Sequence, residues 1–192
     1  MRWRPAVLSA AVVTLVAGCA EPESAEWVAA ETRATPAAAS PTAPARPARV
    51  TSACKVLTAK AVIDILGGTS ATKLKAREDG VDDLGAGAKR YTCGYGRAGN
   101  EPFALSVTER PDPDGTAVEA IDQIVDYADS DAKRITGLGD GIDGVTYIKG
   151  AFRGTAVAVP YRENLRIAVF VSPPQIPRKK LIEVAEHLVT RL

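Results

Sequence analysis

The chain has 192 residues and carries 24 Lys and Arg against 23 Asp and Glu, so its formal net charge is +1. A nearly neutral chain lacks the strong positive field that gathers nucleic acid, and the composition therefore disfavours DNA or RNA binding. A single histidine and three cysteines leave few side chains for a metal site or for nucleophilic catalysis.

The first 19 residues have the pattern of an export signal. Arg2 and Arg4 precede an apolar run that is too short to hold a bilayer-spanning helix. The run ends at Val16-Ala17-Gly18 directly before Cys19, and this exit resembles the lipobox of bacterial lipoproteins. The resemblance implies a signal peptide over residues 1–18, acylation of Cys19 with chains such as palmitate, and attachment to the extracytoplasmic face of the cell membrane. The alternative is an ordinary cleaved signal peptide that releases a soluble protein.

Residues 19–50 have the composition of a disordered linker. Ala, Pro, Glu, Ser, Thr and Arg dominate this stretch, and five prolines interrupt it without any apolar periodicity. A linker of about 30 residues spans about 30 Å as a flexible coil and up to about 90 Å as extended polyproline II. Such a tether holds a folded domain clear of the membrane surface.

The two remaining cysteines, Cys54 and Cys93, predict a structural disulfide. Once Cys19 is acylated, these two are the thiols left in an oxidising compartment. The alternative is a redox-active dithiol, which favours a close Cys-x-x-Cys spacing that this sequence lacks. Both cysteines fall within residues 51–192, whose length suits one folded domain with a single hydrophobic core.

A helix is the first predicted element of the folded domain, and strands follow it. Thr58 suits the N-cap of this helix, and Gly67-Gly68 suits its carboxyl end. A weak strand is predicted between Thr69 and Ala76. Alternating apolar residues then predict a strand over residues 91–95 and another over residues 101–110, paired as a hairpin.

The second half of the domain predicts a helix, three strands and a last helix. Thr116 and Glu119 complete a capping box at the start of the first of these helices, which carries an apolar stripe at helical spacing. Pro177 suits the first turn of the last helix. Between the two helices, short apolar runs predict strands over residues 145–148, 155–159 and 165–171.

Together these elements predict an α+β fold. Short connections favour an antiparallel sheet, and amphipathic helices need a sheet face to cover, so we expect the three helices mainly on one face. The order helix, strands, helix, strands, helix also suggests a loose internal duplication.

Three short motifs lie where predicted elements begin or end. They are residues 54–59, which lead into the first helix, then Thr92-Cys93-Gly94-Tyr95, and then Gly137-Leu138-Gly139-Asp140. Together they resemble a large group of actinobacterial lipoproteins built on a domain of unknown function and, more distantly, extracellular sensor domains of actinobacterial receptor kinases. The resemblance implies the disulfide between Cys54 and Cys93 and a glycine turn that leads into a strand. The chain departs from the pattern at Gly141, and the resemblance supplies no catalytic residue.

Few side chains suit catalysis or metal binding. His187 is the sole histidine and lies in the last predicted helix, and the chain has no Gly-x-Ser-x-Gly motif. One histidine and two paired cysteines do not complete a structural zinc site. We therefore expect no catalytic residue, no metal and no cofactor.

Two loops carry closely spaced carboxylates. Asp112 precedes Asp114 in the first loop, and Asp140 precedes Asp143 in the second. Neither loop has the ligand spacing of an EF-hand, and Asp-Gly and Pro-Asp pairs are typical of turns, so turn formation is the favoured interpretation. Gly137-Leu138-Gly139 likewise lacks the glycine spacing of a dinucleotide-binding loop.

A basic cluster, Arg178-Lys179-Lys180, lies at the start of the last predicted helix. Cations oppose the helix dipole there, so a partner acid or a lipid phosphate would suit them. Glu183 and Glu186 follow at helical spacing, however, and favour a solvated turn that is balanced by its own acids.

The sequence favours a non-enzymatic binding or interaction module of the cell envelope, anchored to the membrane through Cys19. Its partner would be another envelope protein or a small ligand, and no nucleic acid. The first alternative is a carrier that holds a lipid or another small apolar ligand between the sheet and the helices. A further alternative is an enzyme that uses aspartates such as Asp140 and Asp143.

Overall fold

The computed structural model describes residues 46–68, 72–97, 99–112 and 116–192. The signal peptide, Cys19 and most of the linker therefore lie outside the described residues. The described elements, in chain order, are α1 Ala53–Val56, α2 Ala59–Leu66, β1 Lys75–Gly85, β2 Ala88–Arg97, β3 Asn100–Pro111, α3 Ala117–Tyr127, β4 Ser130–Arg134, β5 Asp143–Lys149, β6 Phe152–Tyr161, β7 Asn164–Ser172 and α4 Arg178–Arg191.

The seven strands form one antiparallel sheet in the order β1-β2-β3-β7-β6-β5-β4. The chain first makes a meander of β1, β2 and β3. Helix α3 then carries it to the far edge of the sheet, and β4 to β7 return as a second meander that ends beside β3. The predicted α+β fold with an antiparallel sheet is confirmed, and the strands predicted within residues 91–110 and 145–171 correspond to β2, β3, β5, β6 and β7.

The two edge strands are the ones that the apolar pattern does not reveal. The weak strand predicted between Thr69 and Ala76 overlaps only the first residues of β1, and the rest of β1 was not predicted. Every residue of β1 is exposed, and β4 consists of Ser-Asp-Ala-Lys-Arg. Charged edge strands discourage pairing with other chains, so polar sequence and strand structure are compatible there.

The helix caps follow from local sequence. The Thr58 hydroxyl accepts a hydrogen bond from the Ala61 N–H, and Gly67 ends α2 in the left-handed conformation, with φ of 82°. Such a φ is readily adopted only by glycine. At the start of α3, Thr116 and Glu119 form the predicted capping box.

Helices cover both faces of the sheet. On the first face, α1, α2 and α4 pack against alternate residues of the central strands, among them Leu105 and Phe170. On the second face, α3 packs over β5 and β6 and buries residues such as Val145 and Ala156. Alternate residues of β6 serve the two faces, because successive side chains of a strand point in opposite directions. The helices that we expected mainly on one face are thus divided, with α3 alone on the second.

A disulfide joins Cys54 in α1 to Cys93 in β2, with 5.2 Å between their Cα atoms. This pairing was predicted from the sequence. It ties the first helical segment to the sheet 39 residues further along the chain.

Candidate functional site

The residues that the sequence singled out for chemistry lie apart in the structure. His187 is half-buried on α4, where burial and, to a smaller extent, the charge of Arg191 lower its pKa. Asp143 forms an ion pair with Arg134 and accepts a hydrogen bond from the Gly144 N–H, while Asp140 is exposed. Within the described ranges, no group of three His, Cys, Asp or Glu side chains is placed to hold a metal ion.

Two of the remaining predicted candidates, Asp112 and Lys180, are held in local ion pairs. Asp112 forms an ion pair with Arg110, with 2.8 Å between nitrogen and oxygen, and Asp114 lies outside the described residues. In the basic cluster, which lies in the first turn of α4, Lys180 pairs with Glu183 at 2.7 Å, whereas Arg178 Nε is buried without a hydrogen-bond partner among the described residues. Cys19 lies outside the described part of the chain.

A groove on the second face runs along one side of α3. We name it the α3 groove, and its lining residues are Ala120, Gln123, Ile124, Tyr127, Tyr147, Ile167 and Val169. It encloses about 360 Å³. Its walls are mostly aliphatic and aromatic, which is the composition of surfaces that bind ligands or proteins.

Two tyrosines shape one end of the α3 groove. The ring of Tyr147 lies so close to Gly154 that a Cβ at position 154 would come within 2.5 Å of it. Burial raises the pKa of Tyr147 to about 12. The Tyr127 side chain is 62% exposed, and the Lys149 ammonium lies 4.3 Å from the centroid of its ring.

Beyond the α3 groove the second face has no helical cover among the described elements. The buried cluster beneath α3 includes no residue of β1, β2 or β3. Directly paired residues share a face, and they place Thr92 and Ser106 in one row with Val169. Small polar side chains therefore lie on the open part of this face, beside the apolar groove.

An ion cluster borders this open half of the sheet. Arg77 donates two hydrogen bonds to Glu101, at 2.8 and 2.9 Å, and lies 2.9 Å from Asp79. The hydrogen bond from Arg77 is the main cause that lowers the pKa of Glu101. The cluster lies directly above Gly94. A Cβ at that position would be only 3.4 Å from the Glu101 side chain.

A second notable arrangement centres on Arg166 of β7, which is completely buried. Its guanidinium donates hydrogen bonds to the main-chain oxygens of Pro47, Ala48 and Leu192, at 2.9, 3.0 and 2.6 Å. It also lies 3.9 Å from the centroid of the Tyr161 ring, and its Nε is 3.5 Å from the Glu109 carboxylate. Among the described residues, Arg166 is the one charged residue that is buried.

The segment held by Arg166 is the end of the predicted linker. We name residues 47–51 the strap. Val50 in the strap is 3% exposed, and its N–H donates a 2.9 Å hydrogen bond to Glu109. Four of these five residues were assigned to the linker, and sequence reasoning did not identify Arg166. The alternation of the strand accounts for its burial, because Arg166 lies on the same buried first face of β7 as Ala168 and Phe170.

Comparison with protein-family models and with curated proteins finds no match to this chain. Within the described residues, no helix has both the length and the apolar character needed to cross a membrane.

Proposed function

We propose that this chain is a lipid-anchored extracytoplasmic protein that binds another protein of the cell envelope through the α3 groove, without enzymatic activity. The α3 groove and the open half of the second face carry the binding part of this proposal. The export signal and the lipobox-like sequence before Cys19 support the location. From the motifs at residues 54–59, 92–95 and 137–140 we infer kinship with the actinobacterial lipoproteins described above, and the internal duplication stays a prediction.

An exposed aromatic side chain beside an apolar groove is the kind of feature on which protein interfaces depend. Buried Tyr side chains are frequent among the few residues that dominate binding free energy. Tyr127 projects from α3 beside Ile124 and Ile167, so a partner that covers the groove would bury all three. The small polar side chains of β2 and β3 on this face suit the polar rim of such an interface.

A carrier of a lipid or a small apolar ligand is the second candidate, and the same groove favours it. A volume of about 360 Å³ is large enough for a small ligand. Carriers, however, enclose most of the ligand surface, whereas the α3 groove opens on the uncovered part of the sheet. This difference favours a protein partner.

A photocrosslinking amino acid placed at Gln123 tests the binding surface in intact cells. Gln123 lines the groove, while Glu186 is exposed on α4, on the other side of the sheet, and serves as the control position. We expect one discrete crosslinked protein from position 123 and none from position 186. Equal crosslinking from both positions would contradict the proposed surface.

Two alanine substitutions sharpen this experiment. Tyr127→Ala removes the exposed aromatic residue of the groove, and we expect the crosslink from position 123 to fall at least tenfold. Phe152→Ala is the matched control, because Phe152 is 55% exposed on the same face but does not line the groove. A carrier would instead retain a bound apolar mass in native mass spectrometry of protein extracted from its membrane.

The location and the absence of catalysis have separate tests. Mass spectrometry of the mature amino terminus should find an acylated Cys19, and Cys19→Ala should abolish the acylation and leave residues 1–18 in place. Purified protein should show no turnover with a broad panel of hydrolase substrates. Turnover that disappears on a single substitution, such as Asp140→Asn, would instead favour the aspartate enzyme.

A further inference from the structure

Two adjoining clefts flank the strap on the first face. The first cleft, of about 450 Å³, is lined by Arg49, Lys89, Tyr91 and Asn164 among others. The second, of about 260 Å³, is lined by Arg49, Lys55 and Arg191 among others. Arg49, Val50 and Thr51 line both, so the strap is the wall between them.

The charge in these clefts is predominantly positive. Four cationic side chains line them, and none of the four makes an ion pair within the described part of the chain, namely Arg49, Lys55, Lys89 and Arg191. Glu109 is the one acidic residue in the lining of the first cleft, and its carboxylate is already held by Val50 and faces Arg166. No acidic residue lines the second cleft. Cationic side chains therefore outnumber acidic ones in the linings of the two clefts by four to one.

The position of Arg49 is set in advance by the buried contacts of the strap. The carbonyl oxygen of Ala48 accepts a 3.0 Å hydrogen bond from Arg166, and the N–H of Val50 donates a 2.9 Å hydrogen bond to Glu109. Both main-chain neighbours of Arg49 are thus fixed by groups of the folded domain. A residue whose main chain is held in place before binding loses less entropy when its ligand arrives than one on a free segment.

The donors in the clefts match the chemistry of phosphate. A guanidinium can donate two parallel hydrogen bonds to phosphate oxygens, and an ammonium acts as a compact positive charge beside it. Asn164 and Tyr91 add an amide and a phenol donor in the first cleft. We propose that the paired clefts bind a phosphate-bearing anion, with Arg49 shared between them, Lys89 contributing from one side and Lys55 and Arg191 from the other.

A phospholipid headgroup and a soluble phosphate both have this chemistry. The predicted tether joins the domain directly before the strap, so in a membrane-anchored chain the clefts would lie where the tether enters the domain. The site is nevertheless separate from the α3 groove, which lies on the opposite face of the sheet. Phosphate binding therefore does not depend on acylation of Cys19 or on a protein partner.

The test uses the full chain with Cys19→Ala, which removes any acyl anchor, and two probes. The first probe is inorganic phosphate, followed by NMR titration of the strap amides. The second is a set of phosphatidylcholine vesicles with and without phosphatidylglycerol, followed by co-sedimentation. The difference between the two vesicle types removes any apolar binding of residues 1–18, and because Arg2 and Arg4 also favour the anionic vesicles, the comparison of cleft and control variants assigns the remaining binding to the clefts.

Paired substitutions identify the clefts as the site. We expect Arg49→Gln with Lys89→Gln to weaken binding to the anionic vesicles about fivefold for each lost charge at low salt, and Lys55→Gln with Arg191→Gln to do the same. The matched control is Arg97→Gln with Lys179→Gln, which removes the same net charge from exposed positions away from the strap. This control should leave binding within twofold of the unmodified chain.

The outcomes separate the two sources of phosphate and can overturn the proposal. Binding to anionic vesicles but not to inorganic phosphate, lost in the cleft variants, supports a lipid headgroup as the ligand. Shifts of the strap amides with inorganic phosphate, also lost in those variants, support a soluble ligand. Absence of binding to both probes, or equal losses in the control and cleft variants, would overturn the proposal. Neither result would alter crosslinking from Gln123, so the two proposals fail independently.

Discussion

The hydroxyl of Tyr95 donates a 2.5 Å hydrogen bond to the main-chain oxygen of Leu57, and both residues are completely buried. Leu57 lies at the carboxyl end of α1, and Tyr95 lies on β2 two residues after the disulfide-bonded Cys93. One covalent bond and one buried hydrogen bond therefore attach the same short helix to the same strand. Burial also raises the pKa of Tyr95.

Tyr95→Phe should destabilise the folded domain by about 1–3 kcal/mol, because the carbonyl of Leu57 is then buried without a partner. Urea unfolding followed by fluorescence or circular dichroism measures this change. Tyr91→Phe is the matched control on the same strand, since Tyr91 is only half-buried and lines an open cleft. Equal losses in both variants would show that the bond to Leu57 contributes little.

Removal of the disulfide should cost about 4 kcal/mol of folding free energy, because the unfolded chain regains the entropy of an open loop of about 40 residues. The Cys54→Ala, Cys93→Ala double variant and the reduced protein should show the same lowered urea midpoint. Reducing agent should not change the midpoint of the double variant. If reduction leaves the midpoint of the unmodified protein unchanged, the disulfide does not stabilise this domain.

Arg166→Ala should destabilise the domain by about 3–5 kcal/mol, because it leaves Glu109 without its cation and three main-chain oxygens without a donor. Arg162→Ala is a suitable control, since Arg162 is exposed and also lies near the Tyr161 ring, at 5.4 Å. That variant should change stability by less than about 1 kcal/mol.

A double-mutant cycle with Glu109→Gln isolates the coupling between the two charges. We expect the two substitutions together to cost less than the sum of the single costs, because each single variant leaves one charge unpaired. Simple additivity would mean that Arg166 acts only through the strap and Leu192.

His187 should titrate below its ordinary pKa of 6.5, because burial and then the charge of Arg191 disfavour the imidazolium. Below pH 6.5 the unfolded chain therefore binds a proton at His187 more readily than the folded chain does. The free energy of unfolding should fall as the pH drops below 6.5 and through the lower pKa of the folded state. The change is small because His187 is only half-buried. NMR titration of the sole imidazole measures the pKa directly.

Arg191→Gln should raise the pKa of His187 toward 6.5 without restoring it, since burial remains the larger cause. Lys179→Gln, at the other end of α4, should leave the pKa unchanged. A pKa at or above 6.5 in the unmodified protein would contradict the burial of this side chain.

Local patterns were sufficient for the elements whose cause is local. Thr58 and Gly67 bound α2, and Thr116 with Glu119 caps α3, because each cap is a contact between residues close in sequence. The central strands could also be predicted from the sequence, because their residues are apolar where the sheet is buried. Strands β1 and β4 did not, because an edge strand is held by main-chain hydrogen bonds to one neighbour and needs no apolar side chains.

The candidate sites depended on contacts between distant residues. The α3 groove combines α3 with β5 and β7, and nothing in the sequence of α3 indicates which strands it covers. Arg166 lies 118 residues from Ala48, whose carbonyl it holds, so no spacing rule predicts their contact. Of the chemical candidates that short motifs suggested, Asp140 lies in a turn, whereas Asp143 is the first residue of β5 and pairs with Arg134.

The sequence by itself determined the cysteine pair, the helix caps, the apolar strands and the α+β class, and it is the whole basis for the predicted export and acylation. These features arise from residue type and short-range spacing. Only the tertiary structure decided that α3 lies on the second face, that half of that face stays open, and that a buried arginine holds the strap between two basic clefts. The physical reason is that burial and charge pairing are set by which elements pack together, and packing joins residues that are far apart along the chain.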